Sequence, residues 1–118
     1  MNANNIITKC DRLKPNNYPY SQKMEWLSEI ESDIISYINM YSKNTVASDF
    51  DNSQNPVLVL PKADSNIYLF YLISMIDLAN QEYDLYNNST TFFNYELNSW
   101  KRKIRRKKTP ECNISIKV

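Results

Sequence analysis

DSNIYLFYLISMIDLANQEYDLYNNSTTFFNYELNSWKRKIRRKK, residues 64–108, decides the fold. Asp64 and Ser65 are of the type that starts helices. After them Ile67, Phe70, Tyr71, Ile73, Met75, Ile76, Leu78 and Ala79 make a helix that is apolar on nearly every side. A helix of that kind has to be covered by neighbours, so the stretch predicts a helical core with itself at the centre. Beyond Tyr86 the run NNSTT favours caps and turns, which predicts a break there. The stripe Phe93, Leu97, Trp100 and Ile104 then defines a further helix. The alternative is one unbroken helix of about 43 residues, roughly 65 Å long at about 1.5 Å per residue.

Upstream, Ile6, Ile7, Cys10 and Leu13 recur at helical spacing, and Pro15 closes that short segment. Ser21 is the expected N-cap of a second helix, whose stripe is Met24, Leu27, Ile30, Ile34, Ile38 and Tyr41. Glu25, Glu29 and Asp33 step by four on another face and read as a solvated row rather than paired acid/base groups. Residues 42–53 show no period and predict a loop. Within it Asp49 and Asp51 suggest a calcium loop, but Gln54 stands where Gly is needed and Leu60 where a bidentate Glu is needed. PVLVLP, residues 56–61, is a short extended run fenced by prolines, either an edge strand or a packed linker. Thr109-Pro110 ends the last helix, and ECNISIKV alternates, with Cys112, Ile114, Ile116 and Val118 on one side. That tail pairs with residues 57–60 of its own chain or adds itself to a neighbour. The cost of leaving three branched aliphatic side chains exposed favours the neighbour. The expected fold is mainly α: a small four-helix domain over residues 1–108, with a long loop, and an extended strand-like C-terminal arm over 109–118.

Composition narrows the chemistry. The 118 residues are 42% hydrophobic, enough for one domain with a core of its own. Glycine is absent, which removes phosphate-cradling loops, dinucleotide fingerprints and nucleophile elbows. Histidine is absent too, and with it imidazole-based triads and zinc sites. The expectation is therefore no enzyme, with no catalytic, cofactor-binding or metal-binding residue. Cys10 and Cys112 have no metal-ligand spacing and read as free thiols. MNANNIITKC has neither the basic flank nor the apolar run of an export signal, and no apolar run approaches the ~20 residues that span a bilayer. A soluble, intracellular chain with no membrane partner is expected.

Charge is unevenly placed. Residues 1–100 carry six Lys and Arg against twelve Asp and Glu, a balance of −6; residues 101–118 carry eight against one, a balance of +7. Lys101, Arg102, Lys103, Arg105, Arg106, Lys107 and Lys108 surround Ile104, which falls in register with the core stripe. None has an acid four residues upstream to pair with. The helix macrodipole accounts for some cations at a C-terminus, but seven exceed that need. Three readings follow: a solvated helix end, a surface for an acidic protein partner, or contact with nucleic-acid backbone. The second ranks first.

Three stretches carry a family likeness: NANNIITKCDRLKPN (2–16), SQKMEWLSEIESDI (21–34) and LPKADSNIYLFYLISMIDLANQEYDLYNNSTTFFNYEL (60–97). Together they resemble the small head-tail connector proteins of tailed bacteriophages and prophages of low-GC Gram-positive bacteria. The matching residues are helix-packing positions, not catalytic signatures. The resemblance implies a structural virion protein, a helical adaptor that forms a ring, often twelvefold, beneath the portal. It implies contacts with the portal protein, with like subunits and with the next neck or tail component, and non-specific contact with packaged DNA. The implied location is the virion neck, after assembly in the host cytoplasm. The interface expected under this reading comprises the seven cations at 101–103 and 105–108 together with Ile114, Ile116 and Val118. The alternative function is a small nucleic-acid-binding regulator that uses residues 101–108.

Overall fold

The structure, a computed structural model, describes residues 1–42, 45–51 and 53–108, with the side chain of Lys108 excepted. Four helices follow one another: α1 (Ala3–Leu13), α2 (Tyr20–Tyr41), α3 (Asn66–Ala79) and α4 (Tyr83–Lys108), with a 3-10 turn at Lys62–Asp64. The mainly helical class expected from the sequence is the one observed. The arm at 109–118 lies outside the described residues.

As its composition demands, α3 is the centre. It packs against each of the other three helices, most extensively against α4. Ile67, Tyr68, Leu69, Leu72 and Ile76 are buried on it, and Ile6, Ile7, Leu27, Ile30, Ile34 and Trp100 close around them. Asp77 interrupts this apolar surface and is buried as well. Lys14 Nζ lies 2.9 Å from one of its oxygens, and the Ser89 hydroxyl donates to the other at 2.8 Å. The ion pair ties the end of α1 to α3, and the hydroxyl ties α4 to α3.

Two expected boundaries move. Pro19, not Ser21, occupies the N-cap of α2, and its carbonyl accepts from Gln22 and Lys23. Proline's fixed φ suits the entry to a helix, and Ser21 lies exposed in the first turn. The expected break after Tyr86 is instead at residues 80–82. There Gln81 adopts φ 61°, Gln81 N–H donates to Leu78 C=O at 3.0 Å, and Glu82 N–H donates to Asp77 C=O at 2.9 Å. This pair of bonds is a Schellman ending, with glutamine in the left-handed position usually held by glycine. NNSTT runs through the helix because its side chains turn back onto it: Thr91 Oγ1 donates to Asn87 C=O at 2.8 Å, and Ser89 bonds Asp77.

PVLVLP is a packed linker. Leu58 and Leu60 enter the core while Val57 stays exposed. It pairs with the N-terminus: Asn2 and Val57 form a single antiparallel bridge, Ala3 N–H donates to Pro56 C=O, and Leu58 N–H to Met1 C=O, both at 2.8 Å; the alternative pairing with the C-terminal tail falls outside the described residues. No longer ladder exists among the described residues, so the remaining amides find other acceptors. Val57 N–H takes Asp49 Oδ2, Val59 N–H takes Glu31 Oε2 and Leu60 N–H takes the Tyr68 hydroxyl oxygen. The segment is thereby held by a different element at each residue.

Candidate functional site

The basic end of α4 is positioned by Ile104, which packs against the core as its register predicts. This orients the cations around it. Lys101 Nζ sits 5.1 Å from the centroid of the Tyr37 ring on α2, and Arg105 Nη1 donates to the Tyr37 hydroxyl at 2.9 Å. The Tyr37 ring itself lies against Trp100, with centroids 5.6 Å apart. Lys103 pairs with Asp64, just before α3, at 3.0 Å. Three of the seven cations therefore brace α4 against the body. Arg102 bonds Ser99 one turn back, and Arg106 and Lys107 are exposed. Of the other expected interface residues, Ile114, Ile116, Val118 and the side chain of Lys108 lie outside the described residues.

Tyr37 was missed by sequence reasoning because it stands beside the stripe of α2 rather than on it. Its value comes from a partner 63 to 68 residues away, and nothing local signals that. Phe92, next to the stripe residue Phe93, is 57% exposed, stacked on Phe70 with ring centroids 5.6 Å apart. The core is instead reached by Phe93, which lies 5.3 Å from Tyr71 between ring centroids. Helical spacing puts Leu85, Phe92, Tyr95, Arg102 and Arg106 on one face of α4, and all five are exposed. Aromatic groups and arginines over the same outward face are the residue types that carry binding energy at protein interfaces.

The row Glu25, Glu29 and Asp33 is exposed, as expected. Glu29 accepts a hydrogen bond from the Tyr71 hydroxyl at 3.3 Å. Burial, followed by the nearby carboxylates of Glu29 and Asp33, pushes the Tyr71 phenol up to about 12. Between α2, α3 and α4 lies a cleft of about 300 Å³, walled by Tyr37, Met40, Tyr71, Phe93, Leu97 and Trp100. It is predominantly apolar, with Asp33 and Lys101 also contributing to its lining.

Glu31 is the buried acid that the sequence reading passed over. It is 1% exposed and accepts hydrogen bonds from Tyr68 Oη and from Val59 N–H. Burial raises its pKa, partly offset by those two donors, and burial also raises the Tyr68 phenol. Both groups are consumed in holding the linker. Among the described residues no cluster of three or more His, Cys, Asp or Glu is arranged to hold a metal ion, and no helix is long and apolar enough to cross a membrane.

Comparison with known proteins finds no matching family model, no matching curated protein and no matching solved structure.

Proposed function

We propose that this chain is a structural assembly protein of the head-tail connector type, which forms a ring beneath a phage portal and joins the capsid to the neck or tail. The residue likeness in the helix-packing segments supports the family. The geometric observation that carries the reading is the outward face of α4, where Leu85, Phe92 and Tyr95 run into Arg102 and Arg106. Such a face, exposed along a rigid helix, suits a broad protein partner better than a small molecule. The acidic remainder of the chain gives like subunits and other acidic partners a charge match for the basic end. The expected setting is the virion neck, after assembly in the host cytoplasm.

The test is to mix the purified chain with the portal protein encoded beside it and image the product by electron microscopy. A ring of this chain stacked on the portal is the expected result. Failure to associate across several buffers and ionic strengths would reject the reading.

A further inference from the structure

We infer that the acidic side of α2 in one subunit receives the outward face of α4 from a second copy, antiparallel, with Tyr95 over Met40 and with Arg102 and Arg106 on Asp33 and Glu29. This rests on the reading of that face as a protein contact, and it needs no portal.

Register supports it first. The helical period puts Glu25, Glu29, Asp33 and Met40 on one side of α2, and all four are exposed, Met40 at 71%. The stripe is thus acidic along its length and apolar at its C-terminal end. The outward face of α4 has the same plan in the opposite sign, with Phe92 and Tyr95 followed by Arg102 and Arg106. Met40 stands seven residues from Asp33 and eleven from Glu29, and Tyr95 stands seven from Arg102 and eleven from Arg106. At about 1.5 Å per residue both pairs of steps are roughly 10 and 16 Å, so one antiparallel register seats apolar on apolar and both arginines on carboxylates.

The apolar end of the stripe has a seat. Met40 and Asp33 line the cleft between α2, α3 and α4, beside Tyr37, Leu97 and Trp100. An aromatic ring laid over Met40 covers that apolar opening and takes it out of water.

Charge fixes the direction. Tyr37 meets Trp100 and Lys101, while Glu29 meets Tyr71, which lies against Phe93. Within one subunit α2 and α4 therefore run parallel, and the basic end of α4 lies beside the Met40 end of α2. A neighbour's α4 laid parallel to α2 would bring its arginines toward that basic end; laid antiparallel, it carries them to the carboxylates. Among the described residues the ion pairs of Lys14, Lys23 and Lys103 go to Asp11, Asp64, Asp77 and Glu82, not to the row on α2. Phe93, Leu97 and Trp100, which α4 turns to the cleft, lie on the opposite side of the helix from Tyr95, Arg102 and Arg106. The two contact surfaces do not overlap, so each subunit gives one and receives the other, a head-to-tail contact.

The experiment mixes full chains carrying Met40→Cys with full chains carrying Tyr95→Cys, both with Cys112→Ser, at millimolar concentration and low salt under mild oxidation. Cys10 is fully buried and its thiol is pushed up to about 12 by burial, so it takes no part. Disulfides joining unlike chains are expected to outnumber those joining like chains roughly tenfold or more. Arg102→Glu with Arg106→Glu in the Tyr95→Cys chain should abolish that excess, and adding Glu29→Lys with Asp33→Lys to the Met40→Cys chain should restore it. Equal yields of like and unlike disulfides, or no recovery when both charge sets are reversed, would overturn the proposal. The same chains imaged with the portal separate the two readings. A portal-bound ring without the unlike disulfide overturns this contact and leaves the connector, whereas the disulfide without portal binding keeps the contact and rejects the connector.

Discussion

Glu31 shows how one side chain can hold a segment that has no sheet to belong to. Its two oxygens take Val59 N–H and Tyr68 Oη, and Tyr68 in turn accepts from Leu60 N–H, so three elements meet at one carboxylate. Glu31→Ala leaves two buried donors without acceptors and is expected to cost about 2–5 kcal/mol, read as a drop in the urea midpoint. The carboxylate also makes stability depend on pH. Its folded pKa is raised above the ordinary 4.5, so the fold favours the protonated form. That contribution is full below 4.5 and is lost as pH rises through the folded pKa. Glu31→Gln has no proton to lose, so the stability of wild type relative to this variant should decline over that window and then level off. A difference that stays constant across the window would show that burial does not shift Glu31. The residue was legible in principle: it is four after Leu27 and three before Ile34, on the apolar stripe. The more conspicuous row Glu25, Glu29 and Asp33 lies exposed on another face, while Glu31 is buried.

At the scale of elements, the turn between α3 and α4 is where local signals misled. Asn, Ser and Thr favour caps because their side chains compete for backbone groups, but within NNSTT that competition is resolved inside α4 and by Asp77. The actual stop, Asn80-Gln81-Glu82, carries no glycine to mark it. Core packing sets its place: α3 must turn back where Asp77 meets Lys14 and Ser89, and the left-handed residue falls on glutamine. An L-residue there costs roughly 1–2 kcal/mol that glycine avoids, partly offset by glycine's greater freedom in the unfolded chain. Gln81→Gly is therefore expected to raise stability by about 1 kcal/mol, measurable by thermal or urea unfolding, with the helical signal unchanged. A destabilised variant would mean that the Gln81 side chain contributes more than its backbone conformation costs. By contrast, the position of α3 was readable from composition alone, because a helix apolar on nearly every side has no place but the centre. The stripe of α4 beyond Phe93 was equally readable, since Leu97, Trp100 and Ile104 keep a helical period that packing then uses.

For the whole molecule, the charge asymmetry of the sequence is only partly available to a partner. Lys103 is committed to Asp64, and Lys101 and Arg105 to Tyr37, so among the described residues Arg102, Arg106 and Lys107 form the outward part of the basic end. Three phosphate contacts would give duplex DNA binding a salt slope of only about −3, and the acidic body would oppose approach. The chain is thus expected to show no measurable duplex binding at about 150 mM salt. A slope near −6 or steeper, with binding that survives such salt, would require the braced cations to leave Tyr37 and Asp64 and would favour the nucleic-acid regulator instead. Charge reversal separates a protein interface from a structural role. Arg102→Glu with Arg106→Glu touches exposed side chains outside the brace, so its effect on stability should stay within about 0.5 kcal/mol per site. Portal association, measured by co-sedimentation with the portal ring, should fall steeply in the same variant. Lys103→Ala should do the opposite, loosening the end of α4 against Asp64 by up to about 1 kcal/mol while leaving the outward arginines to bind. If both variants bind the portal as wild type does, the basic end of α4 is not the contact, and the exposed Phe92 and Tyr95 become the part of that face to test.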